Sequence, residues 1–256
     1  MNLAKFLSLI TTRSLWFANA EVLARADPYE AVLPRTNYIH RSWKSLGDVD
    51  AHTLQLLRAR PPGEWSLEQH LQLEMRNRED SIRRTFAYRK SFFLNCWNAA
   101  DHESSAMWRL YSNEGIAIIS SMERMNAALQ GAEQHIYCGL VDYIDYETET
   151  VDVSNLFNPV LRKRKSFDFE NEVRFVWWDD GSTNPIGRSP RTVEEMESLP
   201  INPGIAVPCD LAVMIEAVVI SPVTEKWVAS SVSQVCERVG LSCPVSKSSL
   251  LDKPER

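Results

Sequence analysis

From Glu170 to Trp178 the chain reads ENEVRFVWW, and across this stretch polar and apolar residues alternate. A period of two predicts a strand with one face in a core. Val173, Phe175 and Trp177 fall on that face, and Glu170, Glu172 and Arg174 on the other. Carboxylates two residues apart on a strand lie about 6 to 7 Å from each other. At that range they raise one another's proton affinity or share Arg174 as a counter-charge. The same geometry serves catalysis or an ion-pair cluster.

Around this stretch, 256 residues with 44% hydrophobic and 24% charged content have the balance of a globular chain, enough for one large domain or two small ones. A net charge of -6 argues against a surface given over wholly to nucleic acid. The cysteines, Cys96, Cys138, Cys209, Cys236 and Cys243, are odd in number and form no C-x-x-C pair. Set mostly in apolar runs, they read as reduced, buried thiols. The start MNLAKFLSLITTRSLWFA lacks a signal-peptide cleavage pattern, and no apolar run is long enough to span a bilayer. The expectation is a cytoplasmic protein that does not enter the membrane.

Along the chain, Leu3, Phe6, Leu7 and Ile10 have helical spacing, and SLWFA (Ser14 to Ala18) reads as a strand. Residues from Tyr38 to about Arg89 are mostly helical: a short helix ends at Pro61-Pro62, and a long one is capped by Ser66. Arg76, Arg78, Arg83 and Arg84 on that long helix alternate with acids and predict a solvated, ion-paired face. Strands are expected at Ser91 to Trp97, Gly115 to Ser120 and Ile136 to Tyr146, and again in GIAVPCD, EAVVISP and CPVSKS. Helices are expected around Met107 to Tyr111, from SMERMNAALQ to a stop at Gly131, and from Leu156 to Lys165 with a kink near Pro159. Two more are expected at Val193 to Glu197 and after Thr224, the last with a core stripe of Val228, Val232, Val235 and Val239. Helices and strands mix without regular βαβ alternation. The reading is one α+β domain spanning 1–256, a mixed and mainly antiparallel sheet with flanking helices and a helical insertion at about 38–90.

Signatures for phosphate loops, dinucleotide folds, zinc proteases and serine hydrolases are absent. The histidines are scattered, so no metal site is assigned. His102-Glu103 offers a general base or a polar helix entry, and Cys96 a nucleophile or an inert buried thiol. The run Arg162-Lys163-Arg164-Lys165 suits phosphate or, equally, a helix C-terminus. The eight tryptophans read chiefly as core and boundary residues.

Four segments, in order, carry a resemblance that covers nearly the whole chain. They are LWFAN...DPYE (Leu15 to Glu30), FFLNCWN...SSAMWRLYSNEGIAIIS (Phe92 to Ser120), K...F.FENEVR (Lys165 to Arg174) and GIAVPCDL...EAVVISP (Gly204 to Pro222). Together they resemble the bacterial domain-of-unknown-function family 2971, which brings no established activity with it. Its members begin with a tyrosine-bearing strand, whereas here only a few residues precede LAKFL.

Locally, ENEVRFV also resembles the E-x-E strand of arginine-type ADP-ribosyltransferases. That resemblance implies NAD as substrate, Glu172 as the carboxylate that steadies an oxocarbenium-like transition state, and Glu170 as the group that orients the acceptor. Trp97, Trp108 and Tyr111 would offer a stacking surface for nicotinamide, with Arg174 beside the carboxylates. The first expectation is therefore an NAD-dependent ADP-ribosyltransferase-like enzyme, a toxin or phage-defence effector, binding a nucleotide and acting on a protein or nucleic-acid acceptor. The alternative is a non-enzymatic binding or regulatory module with a structural Glu–Arg cluster. A third is a metal-dependent nuclease joining Asp142 or Asp145 to Glu170 and Glu172 around magnesium.

Overall fold

A computed structural model describes residues 1–60, 63, 65–111, 114–181 and 191–253. Its strands are β1 (Ser14–Asn19), β2 (Phe92–Asn98), β3 (Ile116–Ile119), β4 (Ile136–Leu140), β5 (Asp142–Ile144), β6 (Arg162–Arg164), β7 (Glu172–Trp178), β8 (Gly204–Pro208), β9 (Ala217–Ile220) and β10 (Val245–Lys247). Five of them form an antiparallel sheet in the order β4-β7-β2-β1-β8. A smaller sheet runs β10-β9-β3, with β9 and β10 parallel, and β5 pairs with β6 alone. The fold is α+β, as its mixed helix and strand signals imply.

The alternation on β7 and β2 gives the large sheet two buried faces. Phe93, Phe175, Leu15, Phe17 and Val207 lie in one core with helix Leu3–Thr12, helix Met122–Leu129, helix Lys226–Arg238 and the smaller sheet. Phe92, Leu94 and Val176 lie in a second core with Ala20, Ala31, Tyr88, Val160 and Met196. Phe6 and Phe17 are wholly buried, and each such side chain contributes about 1.5–3 kcal/mol by leaving water. The predicted stripe on the last long helix packs into the first core through Val228, Val232, Val235 and Val239.

The region expected as a helical insertion has a small core of its own, Trp43, Val49, Leu57 and Leu71. It contains helices Ala51–Arg58 and Leu67–Tyr88, and Ser66 caps the second in a reciprocal capping box with Gln69. Its charged face is paired as expected at Arg78–Glu74 and Arg83–Glu197. The Pro61-Pro62 stop and residues 182–190 lie outside the described residues.

Three expectations about elements are corrected. The strand foreseen from Ile136 to Tyr146 breaks at Val141, so β4 joins the large sheet and β5 turns away to β6. The helix foreseen from Leu156 to Lys165 is one 3-10 turn, Asn158–Leu161: Pro159 sits in its first turn and keeps it from starting earlier, and Arg162 already has the extended backbone of β6. Thr224 does not cap the last long helix: Glu225 occupies the cap position and the Thr224 hydroxyl is buried without a partner. Among the described residues no helix is long and apolar enough to cross a membrane.

Candidate functional site

Glu172 and Arg174 share a face of β7, as the alternation requires, and Glu170 reaches the same place by another route. Lys165–Glu170 is a 3-10 helix, and Asn171 then turns the chain through a left-handed conformation, φ 40°, before the strand begins. Glu170 is therefore not part of the strand, contrary to the E-x-E reading. Ala31, next to Glu30, also has positive φ, 53°. Left-handed backbone costs a non-glycine residue about 1–2 kcal/mol, and here it lies beside each cluster glutamate.

Arg174 is 1% exposed. Its guanidinium is divided between two carboxylates from remote parts of the chain. Nε and Nη2 donate to Glu172 Oε2 at 3.0 and 2.7 Å, and Nη1 and Nη2 donate to the two oxygens of Glu30 at 2.5 and 3.0 Å. Nη1 also donates to the Val160 carbonyl at 2.7 Å. Lys163 Nζ bonds Glu170 Oε2 and stands 3.6 Å from Glu172 Oε2. Tyr111 donates its hydroxyl to Glu170 Oε1 at 2.9 Å, and Tyr143 Oη accepts the Glu172 N–H at 2.8 Å. Asn98 ties the Glu170 carbonyl to the end of β2.

The charges set one another's protonation. Burial alone would lower the Lys163 pKa, but Glu172 and Glu170 outweigh it and the result is raised. Burial likewise opposes the charge on Arg174, and Glu30 and Glu172 hold it well above the ordinary arginine value. Tyr111 is raised by burial and then by Glu170.

Cys96 pairs across the sheet with Arg174. It was expected to be buried, yet it is exposed. Its thiol is nonetheless pushed up to about 12, first by desolvation and then by Glu172 and Glu30 against Arg174 and Lys163. Cys96 lies beyond the end of the β1–β2 ladder, which holds Ala18 and Asn19 against Leu94 and Phe93; past it the Asn95 side chain bridges to the Trp16 carbonyl instead. Trp16 leans the other way, so close to Gly204 that no side chain would fit there.

Of the residues foreseen for the site, Glu170, Glu172, Arg174 and Tyr111 come together. Trp97 does not, since it lies on the opposite face in the first core, with its indole N–H on Asn95. Trp108 bonds Glu103 instead. The run Arg162 to Lys165 is no phosphate grip, because each cation has its own carboxylate: Asp142, Glu170, Asp27 and Glu149 in turn. Asp142 is thus committed to Arg162, and Asp145 to backbone N–H groups including that of Glu147. Among the described residues no group of three or more acids, histidines and cysteines could hold a metal. His102 is exposed on Asp101. Cys138 is exposed as well; Cys209 and Cys236 are the thiols that are buried as foreseen.

Sequence reasoning missed Glu30, Lys163 and Tyr143. The signals were faint: Glu30 closes DPYE, far in sequence from ENEVR, and Lys163 was one of four similar cations. The segments DPYE, MWRLY and FENEVR deliver Glu30, Tyr111, Glu170, Glu172 and Arg174 to one cluster. No family model, curated protein or solved structure matches the chain.

Proposed function

We propose that this chain is a binding or regulatory module in which Glu30, Lys163, Glu170, Glu172 and Arg174 form an internal brace. Contact with a ligand falls to the accessible margin around Cys96 and Tyr111. The observation that carries the reading is Arg174, 1% exposed and satisfied from both sides by Glu30 and Glu172. A carboxylate stabilises developing positive charge best when no fixed cation has already neutralised it, and Glu172 Oε2 accepts two bonds from Arg174. Glu172→Gln is therefore expected to lower the Tm while leaving NAD untouched by either form of the protein. NAD consumption by the wild-type chain, abolished in a stably folded Glu172→Gln, would sink this reading.

A second reading has one specific observation in its favour. Among the described residues no hydrogen bond reaches Glu172 Oε1, and the exposed Tyr111 stands on Glu170 next to it. That leaves one oxygen for a ribose hydroxyl, as an NAD-dependent ADP-ribosyltransferase acting as a cytoplasmic toxin or phage-defence effector would need. The same NAD assay separates the two.

A further inference from the structure

The brace does not balance its charges. Four carboxylates, Asp27, Glu30, Glu170 and Glu172, are bound to three cations, Lys163, Arg164 and Arg174. All but Arg164 are more than nine-tenths buried. Tyr111, Tyr143 and Tyr146 stand around them and supply no positive charge. Each carboxylate has a cation beside it, but the cluster keeps one negative charge in excess, and a buried net charge is costly.

Two of the carboxylate oxygens lack a partner among the described residues: Asp27 Oδ2, which is sealed in the interior, and Glu172 Oε1. Its partner oxygen takes both Arg174 bonds, no described residue donates to Oε1, and it is not among the sealed, unpartnered buried atoms. Glu172 as a whole is 8% exposed. Asn98 opposite Glu172 on β2 is exposed, and so is Cys96 opposite Arg174, so the accessible end of β2 runs alongside this carboxylate.

We propose, resting on the brace reading, that Cys96 floors a depression that binds the ammonium group of a primary amine. The group sits on Glu172 Oε1, with the Tyr111 ring at its rim. One free oxygen selects the cation. A guanidinium binds best through its planar fork to both oxygens of a carboxylate, whereas an ammonium is a compact charge with three rotatable donors. A divalent metal needs several oxygen ligands together, which the described residues do not offer here. The neutral Cys96 thiol suits the alkyl stem that follows the ammonium.

The test is thermal unfolding of the full chain in propylammonium chloride, with sodium chloride, tetramethylammonium chloride and methylguanidinium chloride at equal ionic strength. A saturable rise in Tm with propylammonium alone supports the proposal, since a specific ligand stabilises the native state. Cys96→Met fills the depression without touching a charge, and it is expected to abolish the rise while keeping the Tm in sodium chloride. Equal rises in all salts, a larger rise with methylguanidinium, or a rise that survives in C96M would overturn it. If Glu172→Gln lowers the Tm but the wild type gains nothing from propylammonium, the brace stands and the ligand fails. If Glu172→Gln leaves the Tm unchanged, the brace itself is wrong.

Discussion

Arg174→Met removes five hydrogen bonds and the one cation that Glu30 and Glu172 share. The methionine fills much of the stem's volume, so the loss is electrostatic rather than a cavity. Deleting one partner of a buried pair costs about 3–5 kcal/mol because a charge is left behind uncompensated. Here Glu30 is left with no cation, while Glu172 keeps Lys163 at 3.6 Å, which places the expected loss within that range. Against a typical total stability of about 5–15 kcal/mol, that is about a fifth or more of what holds the chain folded. At about 2–4 °C per kcal/mol for a chain of this size, the Tm should fall by roughly 6 to 20 °C. Urea unfolding followed by far-UV circular dichroism measures the loss directly. The informative comparison is the triple variant Glu30→Leu, Glu172→Leu, Arg174→Met, which removes the charges together and should recover to within about 2 kcal/mol of the parent, or exceed it. An Arg174→Met variant within about 1 kcal/mol of wild type would refute the reasoning, as would a triple variant no better than the single one.

Two further outcomes follow from the same cluster. Cys96, though exposed, should resist alkylation: a thiol at about 12 is ionised at neutral pH about a thousand-fold less than an ordinary one. Peptide mapping after limited iodoacetamide treatment should find exposed Cys138 modified first, and equal rates would contradict the desolvated floor. The raised Lys163 pKa contributes stability that is fully present below the unfolded lysine value of about 10.4 and is lost as pH rises through the higher folded value. The urea midpoint of the wild type should therefore fall more steeply above about pH 10.4 than that of Lys163→Met, and parallel profiles would remove Lys163 from the brace.

The elements were legible where periodicity was long or punctuation strong. The face of Val173, Phe175 and Trp177, the Ser66 cap and the valine stripe of the last helix all express local pattern, and local pattern survives into the fold. The candidate site was legible only in part. Glu172 and Arg174 could be placed together because two residues on one strand must share a face. Glu170 was brought to them by a left-handed Asn171, which the letters E-N-E do not distinguish from a straight strand. Glu30 is 144 positions away from Arg174, and no period links them. Trp97 was misassigned for the opposite reason: it is near in sequence to Cys96, and that nearness puts it on the other side of the sheet. Arg162 to Lys165 looked alike in sequence, and only the strand β6 reveals that each points to a different acid.

That last arrangement has a consequence for how the molecule meets polyanions. In the unfolded chain Arg162, Lys163, Arg164 and Lys165 are a free tetravalent cationic tag, attractive to heparin or nucleic acid. In the folded chain the tag is dispersed among Asp142, Glu170, Asp27 and Glu149. A polyanion thus recognises the unfolded state better than the native one, and whatever binds the unfolded state preferentially drains the native population. For this chain, contact with a polyanion is a hazard to the fold, and the four acids act as the native state's resident competitors for its own basic run.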